Sequence, residues 1–194
     1  RASKHAGQLQ LISNIFILLS KFTYAYINYI LRNNRRKRYG VFMVALKPND
    51  YKLIVAKPFS PNMAAEIYGV DLSQNIPDDQ FAEIENAFLK YQVLFFKEQK
   101  EVPPEQHVAF GKRFGPLHAH PAAPTMAGHP EVFEIHATKD SKIANGEFWH
   151  SDVSCDETPP LGTMLQIHIA PPCGGDTMFN DMYAAYDDLS DPIK

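Results

Sequence analysis

The stretch EFWHSDVSCDETPP, residues 147–160, sets His150 and Asp152 two places apart beside Trp149, the only tryptophan of the chain. On a β-strand, residues i and i+2 face the same way, so the imidazole and the carboxylate would point into one pocket. Together they supply two ligands to a first-row metal ion. A further histidine would complete a two-histidine, one-carboxylate set that leaves coordination positions open on one side. The triplet alone is weak evidence for a metal and reads first as a surface or structural hydrogen-bonded pair, and Trp149 alone reads as core packing.

The elements that must position this pair are legible in outline. YKLIVAKPF (51–59) reads as a strand with a proline break. MAAEIYGVDL (63–72) reads as a short helix or turn ending near Gly69. DDQFAEIENAFLKYQ (78–92) carries Phe81, Ile84 and Phe88 at helical spacing, with Asp78 and Asp79 where carboxylates suit the helix dipole. VLFF (93–96) reads as a buried strand. PPEQHVAFGKRFG (103–115) opens on proline and closes on glycine, the signature of a second helix. After it comes a Pro- and His-rich loop, PLHAHPAAPTMAGHP. EVFEIHA and GTMLQIHIA read as strands, PPCGGDTMF as a turn leading into another strand, and DMYAAYDDLS as a helix. Helices ahead of a run of β structure predict an α+β layout.

FWHSDVSCDETPP followed by APPCGGDTMFNDMYAAYDDLS resembles the taurine dioxygenase (TauD/TfdA-like) family of Fe(II)/2-oxoglutarate-dependent dioxygenases. IYGVDLSQNIPDDQFAEIENAFLKYQVLFFKEQ and FGKRFGPLHAHP are similar to the family's N-terminal part, and the likeness runs in order from about Tyr51 to Leu189. It implies an α+β fold built on a double-stranded β-helix (a cupin-like jelly roll) with flanking helices. It implies Fe(II) held by His150 and Asp152, with 2-oxoglutarate contacted by Thr177 behind the Gly174-Gly175 turn and O2 as the other co-substrate. It also implies a small anionic organic substrate held by His120. The reaction it implies is hydroxylation of a sulfonate or an aryloxy or carboxylic acid next to its heteroatom, giving succinate and CO2. Two positions depart from the taurine enzymes: Ala123 replaces a tyrosine and Gly146 an asparagine. Both changes remove polar substrate contacts and speak against taurine itself.

Other histidines are weaker candidates for ligands. His118-x-His120 has the form of a cupin metal pair, but PAAPTM lacks the glutamate that pattern needs. His168 reads as a sheet residue, because the family places its third ligand much further along the chain. That histidine, and the arginine that pairs with 2-oxoglutarate, are expected beyond Lys194. The chain therefore reads as the N-terminal portion of such an enzyme, truncated at the C-terminus and inactive by itself. An inactive remnant, or a hydrolase using metal-bound water, are the competing classes.

The bulk composition fits a globular domain of 194 residues, with formal net charge −3 and 12% aromatic residues. This balance argues against a nucleic-acid partner. Cys155 and Cys173 form no zinc or disulfide framework, which favours a reducing compartment and a cytoplasmic location. A homo-oligomer is compatible with all of this. Residues 1–42 differ in texture from the 43–194 domain. LQLISNIFILLSKFTYAYINYIL (9–31) is roughly long enough to span a bilayer and is followed by the basic run RNNRRKR. A spurious or dispensable leader is the preferred reading. A membrane anchor and a partner-binding helix are the alternatives.

Overall fold

The computed structural model describes residues 14–19, 51–119, 125–138, 140–141, 148–154 and 156–194, the first of these by backbone alone. Seven strands and three helices occur among them: β1 (Asn14–Leu19), β2 (Val55–Pro58), β3 (Ala65–Tyr68), α1 (Asp78–Tyr91), β4 (Val93–Phe96), α2 (Pro104–Lys112), β5 (Thr125–Met126), β6 (His129–Phe133), β7 (Gly162–Ile167) and α3 (Met182–Asp187). Five strands form one mixed sheet in the order β2-β3-β4-β1-β7, and β5 and β6 form a separate antiparallel ribbon. The layout is α+β, as the sequence implies.

The β3–α1–β4 unit organises the core. β3 and β4 run parallel, with Ala65 opposite Leu94 and Ile67 opposite Phe96. A parallel pair needs a crossover, and α1 supplies it. The apolar stripe read from the sequence is the face that packs: Phe81, Ile84, Ala87 and Phe88 are buried against Ile67, Leu94 and Phe96. Phe81, Phe88, Phe96, Phe110 and Phe114 meet edge to face, with centroids 4.8–6.1 Å apart. This arrangement suits the ring quadrupoles. Arg113 closes the start of α1. It pairs with Asp78 at 2.7 Å, donates to the Ile76 carbonyl, and lies 4.0 Å over the Phe81 ring.

Two polar side chains organise backbone inside this core. The Glu83 carboxylate, on the buried side of α1, accepts from the Lys52, Leu53 and Ile54 amides at 2.8, 2.9 and 3.1 Å. Gln99 accepts from the Leu72 amide at 2.9 Å and donates to the Val70 and Lys97 carbonyls at 2.7 and 2.8 Å. The Tyr51 hydroxyl beside them is buried without a hydrogen-bond partner. Its burial, then Tyr91 and Glu83, push its pKa up to about 12.

Three expectations are corrected. Ala65–Tyr68, read as a helix or turn, is a strand. Four residues are too few to separate the two periods, and Ala and Glu favour helix locally. Pairing on both edges, antiparallel to β2 and parallel to β4, overrides that preference. The segment after Gly174-Gly175, read as a strand, joins no sheet among the described residues, although both glycines adopt the positive φ of a tight turn, +75° and +76°. The strand in EVFEIHA begins two residues earlier and ends at Phe133.

Six residues of the N-terminal segment form β1, which lies between β4 and β7 and pairs antiparallel with both. The segment's other residues, where most of the anchor and partner-helix readings falls, lie outside the described ones. Among the described residues no helix is long and apolar enough to cross a membrane.

Candidate metal centre

His150 and Asp152 lie in a loop and turn ahead of β7, not on a strand as the i, i+2 argument supposed. Val153 takes a left-handed φ of +48°, and the Asp156 amide closes back onto the Val153 carbonyl at 3.2 Å. The turn brings the two side chains together all the same: His150 Nε2 stands 3.2 Å from Asp152 Oδ1.

The remaining atoms of the pair are held separately. His150 Nδ1 is 2.7 Å from the Phe148 carbonyl oxygen. A carbonyl only accepts, so Nδ1 carries the hydrogen, and a neutral ring then presents a bare lone pair at Nε2. That lone pair faces a carboxylate oxygen. Two acceptors at 3.2 Å repel one another unless a cation, either a proton or a metal ion, lies between them. Two donors about 2.1 Å from a shared ion and at right angles to each other stand about 3.0 Å apart. The donor set, its spacing and its tautomer therefore fit a hard-to-borderline divalent ion such as Fe(II). The second carboxylate oxygen, Asp152 Oδ2, accepts from the Thr163 hydroxyl of β7 at 2.8 Å. Among the described residues no group of three or more His, Cys, Asp or Glu is gathered for a metal.

The turn is braced against the preceding His-rich loop. His118 Nε2 lies 2.9 Å from Asp156 Oδ2, four residues past Asp152. On the other side, His107 of α2 hydrogen-bonds the Met164 backbone. Burial lowers its pKa, and that hydrogen bond opposes the shift.

Of the residues named from the sequence, the structure brings together His150 and Asp152. Thr177 is exposed on the extended segment after the glycine turn, two residues before Phe179, whose ring meets Phe95 at 6.0 Å. His120, Ala123 and Gly146 lie outside the described residues. His168 sits just past β7, exposed, with Nδ1 3.7 Å from Glu101 Oε1. Sequence reasoning missed the Phe148 carbonyl, Thr163 and Asp156. A backbone acceptor leaves no mark in the sequence, and the other two are ordinary polar residues until the turn places them.

The profile of the "Taurine catabolism dioxygenase TauD, TfdA family" matches residues 56–194. The chain belongs to this family. Among its relatives is an alpha-ketoglutarate-dependent sulfate ester dioxygenase of Pseudomonas putida, 30% identical over 151 residues that cover 78% of this chain and 49% of the relative. An alpha-ketoglutarate-dependent 2,4-dichlorophenoxyacetate dioxygenase of Cupriavidus pinatubonensis is 32% identical over 152 residues, covering 70% of this chain and 53% of the relative. The crystal structure of a taurine dioxygenase from Burkholderia xenovorans aligns with 42% identity and a TM-score of 0.40, over 42% of this chain and 29% of that one. The chain thus spans about half the length of the curated relatives it matches.

Proposed function

We propose that the protein carrying this chain is an Fe(II)- and 2-oxoglutarate-dependent oxygenase that hydroxylates a small anionic organic compound. What supports this reading is the approach of His150 Nε2 to Asp152 Oδ1 at 3.2 Å with Nδ1 turned to the Phe148 carbonyl, a geometry that suits a cation between the pair. Family membership supports Fe(II) as that ion. Bound Fe(II) with 2-oxoglutarate would couple O2 to C–H hydroxylation, so that one oxygen atom enters the substrate and the other enters succinate as CO2 leaves.

The chain's own residues divide the remaining work. His150 and Asp152 would hold the ion, and the Phe148 carbonyl and the Thr163 hydroxyl would fix how they present themselves. Thr177 would donate its hydroxyl to 2-oxoglutarate. His120 would hold the substrate anion by a charge-assisted hydrogen bond. The further histidine and the arginine that the family resemblance implies would complete the iron and 2-oxoglutarate contacts. The named reactions of the relatives point to sulfate esters, sulfonates and aryloxyalkanoic acids as the substrate class. Ala123 and Gly146 direct the choice away from taurine.

The test is succinate release by the full-length protein with Fe(II), 2-oxoglutarate and air, across alkyl sulfates, alkyl sulfonates and aryloxyacetates. Substrate-stimulated succinate from at least one of these classes is expected, with taurine at background. Release of sulfate or phenol without 2-oxoglutarate would instead identify a hydrolase and sink the proposal.

A further inference from the structure

The geometry points to Thr163 as the residue that decides which oxygen of Asp152 meets the metal. This inference rests on the metal site proposed above and deepens it. In a strand, successive side chains leave on opposite faces. Met164 packs against the core cluster, so its neighbour Thr163 leaves on the other face, towards the turn that carries Asp152. Its hydroxyl donates to Asp152 Oδ2 at 2.8 Å. A carboxylate accepts but does not donate, so the direction of this bond is fixed. Oδ2 is thereby engaged, and Oδ1 is turned to His150 Nε2. Asp152 is presented as a one-oxygen ligand, which keeps one more position free for 2-oxoglutarate than a two-oxygen grip would.

Strand β7 also gives Thr163 a fixed backbone. Thr163 stands opposite Leu18 in the antiparallel pairing of β7 with β1, and His107 holds the next residue, Met164. The hydroxyl is thus carried on paired strand rather than on loop, which is what a positioning residue requires. Sequence pattern does not reveal this role, because threonine is an ordinary strand former.

The test compares Thr163→Val with Thr163→Ser in the full-length protein, using Co(II) as the metal probe and thermal melting as the control. Valine keeps the shape and the strand preference but removes the donor, whereas serine keeps the donor. Thr163→Val is expected to weaken Co(II) binding about 10- to 100-fold with an unchanged melt, and to change the Co(II) visible spectrum as the carboxylate turns. Thr163→Ser is expected to restore affinity to within about threefold of wild type. Wild-type affinity and spectrum in Thr163→Val, or a Thr163→Ser variant as weak as Thr163→Val, would overturn the inference while leaving the metal site standing. Failure of the wild-type protein to bind Co(II) would overturn the site itself, and this inference with it.

Discussion

Replacing His150 or Asp152 by alanine is expected to lower metal affinity by about 100-fold or more in the full-length protein and to abolish 2-oxoglutarate turnover. The reason lies in the pair itself. With His150 gone, Asp152 Oδ1 loses the Nε2 that stood 3.2 Å from it. With Asp152 gone, the proposed site loses its negative ligand, and the Thr163 hydroxyl loses its acceptor. His150 and the side chains beside it are exposed, so the fold should tolerate either change: Phe148 is 81% and Trp149 70% exposed. Loss of binding with an unchanged melting temperature is therefore the expected signature. Titration with Co(II), followed by visible absorption, reads the first part, and circular dichroism reads the second. Undiminished Co(II) binding in both variants would show that the pair is an ordinary hydrogen-bonded contact.

Glu83→Leu is expected to do the opposite, destabilising the fold without touching the metal ligands. Glu83 is 9% exposed, and its two oxygens take three backbone amides from residues 52–54. Leucine fills the space but leaves those donors without acceptors next to the core. The loss is about 3–4 kcal/mol, a large part of a typical domain's stability. The melting temperature should fall by roughly 10 °C. Glu83→Gln, which keeps one acceptor oxygen, should fall between leucine and wild type. A Glu83→Leu protein that melts with wild type would show that water, not Glu83, satisfies these amides.

These two residues mark the limits of what the sequence discloses. Helix α1 was readable because Phe81, Ile84 and Phe88 repeat at the helical period, and that same stripe packs the core. Glu83 was not readable as a buried acceptor, since its partners lie about thirty residues earlier and offer only backbone. Strand β3 was misread because its four residues carry helix-favouring Ala and Glu, and only pairing with β2 and β4 settles their state. At the site, proximity of His150 and Asp152 was foreseen on the wrong ground. Strand alternation was the argument, whereas a turn with Val153 at φ +48° delivers the contact. Block-by-block likeness from Tyr51 to Leu189 identified the family, which the match over residues 56–194 bears out. Composition sets the segment before residue 43 apart, and its Asn14–Leu19 stretch pairs on both edges within the sheet. Composition reports texture, and a six-residue apolar strand has the same texture as part of a membrane span.

We propose that His150 and Asp152 hold Fe(II) in a site that also takes 2-oxoglutarate. The most direct test is anaerobic titration of the full-length protein with Fe(II) and then 2-oxoglutarate, followed by visible absorption. Chelation of ferrous iron by an α-keto acid gives a metal-to-ligand charge-transfer band. The expected result is a band that needs protein, Fe(II) and 2-oxoglutarate together and that is lost in His150→Ala. A folded wild-type protein that shows no such band, or a band of equal strength in His150→Ala, would contradict the account.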